Sequence, residues 1–265
     1  MEPIVSVLMT AYNREKYIAE AIESVLASSY ENFELVIVDD GSKDKTVAIA
    51  KAYANKDARI KLFINEKNLG DYPNRNQAAF HALGKYLKYL DSDDIIYPWG
   101  LEVMVSSMLK FPEAAFGLSS KSSDDRPFPI CIGPKEIYIE NFSGYNHFDR
   151  APGSSIIKKE TFDLLGGFSG KQYVGDQEFW YMISRYYKMV KFPTELYWNR
   201  LHEDQQGKSE QLVKNKVNKI RRGLVDDALA HPDLPLDDLE LRTIKQKLKS
   251  DSRKIFIRKF YNYII

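Results

Sequence analysis

Three carboxyl groups lie within the four consecutive residues Asp91-Ser92-Asp93-Asp94. Carboxylates this crowded repel one another, and their ionised forms are stabilised by a divalent cation or by exposure to water. Hard oxygen ligands favour Mg²⁺ or Mn²⁺, and such a cation can bridge the phosphates of a ligand. The alternative is a solvated acidic turn in which Asp94 caps a helix. The cluster therefore indicates either a metal site for phosphate chemistry or a surface turn.

A second acidic pair opens the segment Asp39-Asp40-Gly41-Ser42, directly after the predicted buried strand 33–38. A carboxylate here would accept a hydrogen bond from the imide N–H of uracil, and a buried bond of that kind discriminates between bases. The alternative is a turn in which Asp40 and Gly41 supply only permissive backbone geometry. Two acidic clusters in one chain favour a nucleotide site over two unrelated turns.

Other side chains that could take part in catalysis or binding lie in the second half of the chain. Asp176 begins a helical stretch, where the helix dipole stabilises a negative charge, although a plain helix cap has the same pattern. His202 is read either as a ligand or as an ordinary surface or core histidine. Gly153 and Ser154 fit a tight loop or a backbone approached closely by a sugar, and Trp180 fits a core position or a sugar platform.

Strand-like and helix-like runs alternate through the first 100 residues. The predicted strands are 5–10, 33–38, 60–64 and 86–90, and the predicted helices are 18–25, 46–53 and 74–83. Asn13 is predicted to cap the first of these helices. Alternation of this length implies right-handed crossovers, and therefore an α/β fold with a mainly parallel central sheet and helices on both faces. Ligands collect at the carboxyl ends of the strands in such sheets, where both acidic clusters lie.

The rest of the chain is read more coarsely. Residues 119–149 are rich in Pro, Gly, Ser and aromatic residues, and we expect irregular, substrate-facing loops there. Order returns at 154–157, with helices near 160–165 and over 176–187. Charged helices follow, including one at 237–248, with an apolar stripe at heptad-like spacing before it. The predicted domains are 1–207, divided into halves 1–100 and 101–207, and a helical appendage at 208–265.

The composition limits the classes of partner and compartment. The 38 basic and 37 acidic residues nearly cancel, so no overall field favours nucleic acid. A single cysteine, Cys131, excludes an intramolecular disulfide framework and fits a reducing compartment. The start of the chain has no leader pattern, and no apolar run reaches the roughly 20 residues that span a bilayer. We therefore expect a cytoplasmic protein whose membrane contact, if any, is peripheral.

A series of short motifs runs in a specific order along the chain. In the first 100 residues these are Ala11-Tyr12-Asn13, Val38-Asp39-Asp40-Gly41-Ser42-Lys43-Asp44-Lys45-Thr46, Asn68-Leu69-Gly70, Asn74-Arg75-Asn76, Gly84-Lys85-Tyr86 and Leu90-Asp91-Ser92-Asp93-Asp94. Later come Gly166-Gly167-Phe168, Gly175-Asp176-Gln177-Glu178-Phe179-Trp180, and Arg200 with His202. This series resembles the family 2 glycosyltransferases, whose fold is called GT-A. The resemblance extends to about residue 209 and leaves the C-terminal helices outside it.

The resemblance implies an inverting sugar transfer from a nucleoside diphosphate sugar, with Asp176 as the general base and Mn²⁺ or Mg²⁺ as the cofactor. It implies metal binding by Asp93 and His202, with Asp39 reading the base. The implied nucleotide-binding residues are Thr10, Ala11, Tyr12, Asn13, Asp39, Arg75, Asp91 and Ser92. Further candidates, at the acceptor site or behind it, are Asp94, Gly153, Ser154, Gly175, Glu178, Trp180 and Arg200. Gly175 departs from the family, which has a glutamate before this aspartate.

Two other functions remain open at this point. A sugar nucleotidyltransferase would need a glycine-rich, basic loop after the first strand, but that loop is Ala11-Tyr12-Asn13. A non-catalytic nucleotide-sugar or glycan-binding relative is favoured only by Gly175. The expected partners are a nucleotide-sugar donor, best matched by UDP through Asp39, and a carbohydrate or lipid-linked acceptor. The basic, apolar segment 242–265 is expected to contact a membrane surface, to pack on the domain, or to mediate self-association.

Overall fold

The first two strands, at 5–11 and 33–39, are largely apolar and are buried on both faces, as parallel strands covered by helices require. The computed structural model describes residues 2–120, 126–203 and 213–261, with side chains up to residue 250. β1 (Val5–Ala11) pairs in parallel with β2 (Phe33–Asp39) and β4 (Tyr86–Tyr89), and β2 pairs in parallel with β3 (Ile60–Ile64). These four strands agree with the predicted ones to within one residue at each end.

Helices cover both faces of this sheet. Leu8 packs into one apolar cluster with helix α3 (Asp71–His81), whereas its neighbours Val7 and Met9 pack on the opposite side with α1 (Ile18–Leu26) and α2 (Thr46–Ala54). This alternation follows from the two-residue period of a strand. Helix α3 begins three residues before the predicted start at 74. Pro73 is tolerated in the first turn because a first-turn N–H has no partner within the helix.

The second half of the chain extends the same sheet. Helix α4 (Gly100–Lys110) leads to β6 (Ala114–Ser120), and β7 (Ile130–Ile132), β8 (Ser155–Lys158) and β9 (Lys188–Pro193) follow. Among the described residues the sheet has eight strands, in the order β3-β2-β1-β4-β8-β6-β9-β7. β8 runs antiparallel to both β4 and β6, whereas β6 and β9 are parallel. The predicted α/β fold with a mainly parallel sheet is confirmed.

The prediction of irregular loops at 119–149 was wrong in part. The segment contains the end of β6, all of β7, helix α5 (Pro134–Glu140) and a π-helical turn (Asn141–Tyr145). These elements are too short to show a period in the sequence, and tertiary contacts stabilise them instead. Ile137 of α5, for example, is completely buried in the core.

A small separate sheet matters for the site. β5 (Ile95–Ile96) follows the acidic cluster and pairs antiparallel with β10 (Tyr197–Trp198). This pairing brings the segment after residue 198 next to residues 91–94. The contact joins parts of the chain about 100 residues apart, and the sequence alone did not predict it.

The remaining helices pack on the main core. These are α6 (Lys159–Leu164), α7 (Gly175–Tyr186), α8 (Lys214–Ala230) and α9 (Asp238–Tyr261). Leu224 and Leu229 of α8 and Ile244 of α9 belong to the same apolar cluster as Trp180 of α7. Helix α9 is longer than the predicted 237–248. Within the predicted membrane-contacting segment 242–265, the side chains from 251 onward lie outside the described ones, and the division into domains stays a prediction.

Across the described ranges, no helix combines the length and the apolar composition needed to cross a membrane.

Candidate active site

Two adjoining cavities open at the carboxyl edge of the sheet. The larger cavity has a volume of about 460 Å³ and the smaller cavity about 260 Å³. Of the residues predicted for nucleotide or metal binding, the larger cavity is lined by Thr10, Ala11, Tyr12, Arg75, Asp91, Ser92 and Asp93. The smaller cavity is lined by Asp176, and both cavities share Asp71, Arg75 and Asp91. The predicted residues from both halves of the chain therefore converge on one cleft.

The three carboxylates of the acidic cluster lie close together. One ligand oxygen from each of Asp91, Asp93 and Asp94 can be chosen so that all lie within 4.8 Å of one another. Burial, followed by the charge of Asp91, raises the pKa of the Asp94 carboxyl to about 7. Asn199 Nδ2 and the backbone N–H of Arg200 both donate to Asp94, at 3.1 and 3.0 Å. Repulsion between these carboxylates is therefore built into the site.

Asp93 is held from two sides. Arg14 Nε donates to Asp93 Oδ2 at 2.9 Å, and His202 Nε2 lies 2.9 Å from the same oxygen. No described residue donates a hydrogen bond to Asp93 Oδ1. His202 also contacts the ring of Tyr17, with the ring centroids 4.6 Å apart. His202 therefore lies directly against the acidic cluster, and its predicted role as a metal ligand stays a prediction.

Arg200 links the backbone of the acidic cluster to helix α1. Its Nε donates to the carbonyl oxygen of Asp93 at 3.0 Å, and its Nη2 pairs with Glu20 of α1. The guanidinium also lies over the ring of Trp198, 4.9 Å from its centroid. Arg200 does not line either cavity, and its contacts fix the backbone of the turn that carries the acidic cluster.

The acidic cluster fits a hard divalent cation. It offers carboxylate oxygens and no thiolate, which is the donor set that Mg²⁺ and Mn²⁺ prefer. Burial and then repulsion raise the pKa of Asp94, and a dication would offset both by stabilising the ionised carboxylate. Asp91, Asp93 and Asp94 are the residues that would hold it.

The two carboxylates after β2 have different surroundings. Asp39 is completely buried, and its Oδ1 accepts hydrogen bonds from the N–H groups of Gly41 and Ser42 at 3.0 and 2.8 Å. Asp39 does not line the larger cavity, whereas Asp40 does. Asp40 in turn accepts from the N–H of Gly70 at 2.9 Å. The position of Asp39 is a correction to its predicted role, because its carboxylate closes the turn and leaves Asp40 at the cavity.

The loop after β1 also lines the larger cavity. Tyr12 is 44% exposed there and presents an aromatic ring. Ser92 Oγ donates to the carbonyl of Thr10 at 2.8 Å and ties the ends of β1 and β4 together. Asn13 is outside the cavity wall, and the prediction that it caps α1 was wrong because the helix begins only at Ile18. Its Oδ1 instead accepts from the N–H of Lys43 at 2.8 Å.

Arg75 lies where the two cavities meet. Its side chain is buried, with Nε donating to Asp71 at 2.8 Å and Nη2 paired with Asp91 at 2.8 Å. Its buried Nη1 has no hydrogen-bond partner among the described residues. A buried guanidinium N–H without a partner is costly, and a ligand oxygen would satisfy it.

Asp176 lines the smaller cavity from the first turn of α7. Its Oδ1 accepts hydrogen bonds from the Tyr72 hydroxyl at 3.0 Å and from the Gln177 N–H at 2.7 Å. Burial raises the pKa of the Asp176 carboxyl to about 6, and these hydrogen bonds act in the opposite direction. A carboxylate with this pKa is a stronger base than an ordinary aspartate and is still ionised at neutral pH.

Four of the remaining candidates do not reach a cavity. Gly153 accepts from the buried Lys88 through its carbonyl, and Ser154 Oγ donates to the carbonyl of Ala151 at 2.7 Å. Glu178 pairs with Lys171 on the outside of α7. Trp180 is completely buried and stacks on a core phenylalanine, with its Nε1 donating to the carbonyl of Arg150 at 2.8 Å. For Gly153, Ser154 and Trp180 these contacts agree with the tight-loop and core alternatives, and Ala151 and Pro152 are the residues of that segment that line the smaller cavity.

Sequence reasoning missed several cavity residues. The larger cavity is also lined by Arg14, Asp40, Asn68, Gly70, Asp71, Asn74 and Asn199, and the smaller one by Tyr72, Asp149, Arg150, Tyr173, Gln177 and Arg221. Arg14 directly follows a motif, and Asp40, Asn68, Gly70, Asn74 and Gln177 belong to the motifs themselves, so position in the sequence was a usable signal for them. Tyr72, Arg150 and Arg221 carry no local pattern that points to the site.

Comparison with known proteins agrees with this geometry. The model of the family described as glycosyl transferase family 2 matches residues 6–166, more than half of the chain. The chain belongs to glycosyl transferase family 2. Over 239 residues this family 2 chain is 39% identical to an uncharacterized glycosyltransferase of Haemophilus influenzae, across 83% of the chain and 72% of that relative. Other curated relatives are matched over only 43% and 39% of their own length.

Solved structures show that the family 2 chain has the GT-A fold. Residues 1–349 of S. aureus TarS, in complex with UDP-GlcNAc, superpose with a TM-score of 0.71 at 20% identity, covering 92% of this chain and 70% of that one. The mannosyltransferase PcManGT from Pyrobaculum calidifontis, in complex with GDP-Man and Mn²⁺, gives a TM-score of 0.60 at 20% identity, with 96% and 76% covered. The family and the fold predicted from the motifs are confirmed.

Proposed function

We propose that this chain transfers a sugar from a nucleoside diphosphate sugar to a hydroxyl group, with inversion at the anomeric carbon. The observation that carries the proposal is the meeting of the two cavities at Asp71, Arg75 and Asp91. The clustered carboxylates lie on the side of the larger cavity, and Asp176 lies on the other side. A donor in the larger cavity and an acceptor in the smaller one would hold their reacting atoms near this junction.

The donor we propose is a UDP-sugar. Tyr12 offers an exposed aromatic face on which a base can stack, and Asp40 supplies a carboxylate in the same cavity. Asp40 Oδ2 accepts one hydrogen bond from the protein, from Gly70, and retains capacity for the imide N–H of uracil. Asp40 therefore takes the role in base recognition that the sequence favoured for Asp39. The complex of the structural neighbour TarS with UDP-GlcNAc supports the same class of donor.

A divalent cation, Mn²⁺ or Mg²⁺, is proposed as the cofactor. Asp91, Asp93 and Asp94 would hold it, and it would supply a Lewis acid that neutralises charge on the leaving diphosphate. Arg75 contributes a second positive charge through its unpartnered Nη1. The neighbour PcManGT, crystallised with Mn²⁺, supports this choice of ion.

Asp176 is proposed as the general base. An inverting transfer requires the acceptor hydroxyl to attack the anomeric carbon from the side opposite the diphosphate, and its proton passes to Asp176. General-base assistance of this kind contributes about 10²–10⁴-fold to the rate. Because the attacking hydroxyl displaces the diphosphate directly, no covalent sugar–enzyme intermediate is formed. The acceptor is proposed to be a carbohydrate or a lipid-linked sugar.

The test begins with binding. We expect thermal unfolding in a panel of nucleotide sugars to identify one donor whose stabilising effect requires Mn²⁺ or Mg²⁺. Release of the nucleoside diphosphate from that donor then measures turnover. The Asp176→Asn variant should bind the donor normally but lose turnover, and turnover within tenfold of the unaltered protein would remove Asp176 from the mechanism. Glu178→Gln, two residues along the same helix but outside both cavities, is the matched control.

Gly175 does not favour a non-catalytic relative once its surroundings are considered. A Cβ atom at this position would lie 2.9 Å from two ring carbons of Tyr72, so glycine is needed there for packing. The loop after β1 contains no glycine and gives no support to a nucleotidyltransferase.

A further inference from the structure

Tyr72 is placed to control the geometry of Asp176. It projects from the first turn of α3, is only 6% exposed, and lines the smaller cavity. Its hydroxyl donates to Asp176 Oδ1 at 3.0 Å, and this bond joins residues that are 104 positions apart in the chain. Burial raises the pKa of the Tyr72 phenol, so the hydroxyl stays protonated and remains a donor.

Gly175 makes room for this ring. The ring carbons Cδ2 and Cε2 of Tyr72 would both lie 2.9 Å from a Cβ atom at position 175. Carbon atoms of neighbouring groups pack at about 3.5–4.0 Å, so any other residue at 175 would displace the buried ring. The Tyr72 ring therefore occupies the space that a side chain at position 175 would need.

The two oxygens of the Asp176 carboxylate have different hydrogen-bond partners. Oδ1 accepts from both the Tyr72 hydroxyl and the Gln177 N–H, at 3.0 and 2.7 Å. Oδ2 accepts no hydrogen bond from any described residue. A carboxylate anchored through one oxygen holds the other in a fixed direction, ready to accept a proton.

We infer that Tyr72 is the positioning residue of the general base, holding Asp176 through Oδ1 so that Oδ2 receives the acceptor proton, and that Gly175 is required to admit the Tyr72 ring. The inference rests on the proposed function, in which Asp176 is the base. It assigns a role to a residue that none of the sequence motifs contains.

The charged groups around Asp176 set the direction of the expected effect. The residues that face it across the smaller cavity are Asp71 and Arg75 from α3, Asp91 after β4, Asp149 and Arg150 before β8, Tyr173 before α7, and Arg221 from α8. Burial raises the pKa of Asp176 to about 6, and the Tyr72 hydroxyl and the Arg75 charge lower it from a still higher value. Loss of the hydroxyl leaves these other groups in place and removes one donor to the ionised carboxylate. The pKa of Asp176 must then rise.

Tyr72→Phe is the direct test, because it keeps the ring against Gly175 and removes only the hydroxyl. We expect the acidic limb of the kcat profile to move upward by roughly one pH unit, the amount expected for loss of one hydrogen bond to a charged group. At pH 6 kcat should fall roughly fivefold, approaching tenfold only well below pH 6, while KM for the nucleotide sugar changes less than about twofold. Tyr186→Phe is the matched control, since it removes another tyrosine-to-aspartate bond on α7, to Asp233 at 2.8 Å, away from both cavities.

Gly175→Ala tests the packing half of the inference. The added methyl group must displace the Tyr72 ring, so we expect the same upward shift of the acidic limb. In a Tyr72→Leu background that additional shift should disappear, because the two changes act on one contact. If Gly175→Ala shifted the acidic limb equally with Tyr72 and with Leu at position 72, the coupling would be contradicted. An unchanged acidic limb in Tyr72→Phe would contradict the role of the Tyr72 hydroxyl.

A measurement without turnover separates this inference from the proposed function. The difference in stability between proteins with aspartate and with asparagine at position 176 depends on pH through the Asp176 pKa. We expect the midpoint of that dependence to be higher in Tyr72→Phe than in the unaltered protein. An unchanged midpoint overturns the role of Tyr72 even if transfer is intact, whereas a raised midpoint in a protein that transfers no sugar overturns only the proposed function.

Discussion

Replacing Asp176 by asparagine is expected to raise stability while it removes activity. Burial raises the pKa of the Asp176 carboxyl from 3.8 to about 6 in the folded protein. An acid whose pKa is raised on folding contributes stability below its unfolded pKa, and this contribution is lost as the pH rises through its folded pKa. A shift of about two pKa units corresponds to a loss of about 3 kcal/mol above pH 6. The asparagine of the variant would carry no such penalty because an amide does not ionise.

The assay compares unfolding of the two proteins between pH 4 and pH 8, in denaturant and by heating. At pH 4 the variant and the unaltered protein should be nearly equal in stability. At pH 8 the variant should be more stable by up to about 3 kcal/mol. In a domain of this size 1 kcal/mol shifts the melting temperature by about 2–4 °C, so an increase of the order of 5–10 °C is expected. Turnover of the same samples should fall about 10²–10⁴-fold.

The comparison is made on the difference between the two proteins, so titration of other groups cancels. Asp226→Asn, an exposed carboxyl on α8, controls for the change in net charge. A stability difference that is the same at pH 4 and pH 8 would refute the description of Asp176 as a buried carboxyl with a raised pKa. If the Asp176→Asn variant were more stable but turned over normally, the raised pKa of Asp176 would be supported and its catalytic role refuted.

Three other predictions concern the metal site, the packing and the C-terminal end. Asp93→Ala should abolish the Mn²⁺-dependent part of nucleotide affinity measured by calorimetry; equal affinity with and without Mn²⁺ in the unaltered protein would contradict the metal site. Gly84→Ala should lower the free energy of unfolding by about 1–3 kcal/mol, because its Cβ would lie 2.6 Å from the backbone nitrogen of Ser6. Gly223→Ala on α8, with open space around it, should raise the free energy of unfolding by about 0.5–1 kcal/mol. Removal of residues 250–265 should abolish flotation with anionic liposomes if this segment binds membranes, and unchanged flotation would exclude it.

The order of the strands and helices in the first half could be read from the sequence. The run 35–38, for example, is apolar throughout, and a strand covered on both faces buries consecutive apolar side chains of this kind. The carboxyl ends of β1, β2 and β4 necessarily meet at one edge because these strands are parallel. The sequence therefore predicted that Asp39-Asp40 and residues 91–94 lie at the same edge.

The different positions that neighbouring residues of those clusters take could not be predicted from the sequence. Asp39 and Asp40 are chemically identical neighbours, and only the turn at Gly41 decides that one closes the loop while the other lines the cavity. His202 matched a motif, but only the pairing of β5 with β10 shows that its ring lies against Asp93 of the acidic cluster. These outcomes depend on distances of a few ångströms, which a pattern of residue types does not encode.

The sequence by itself determined the family, the parallel core and the set of acidic residues that approach one edge of the sheet. These follow from local properties: the period of apolar residues, the turn-forming glycines and the order of short motifs. Only the tertiary structure decided that Tyr72 meets Asp176 and that Gly175 is the space for its ring. Helices α3 and α7 are about 100 residues apart in the chain, and their contact arises from packing on a shared core. Side-chain contacts of that kind are set by three-dimensional complementarity, which no local pattern contains.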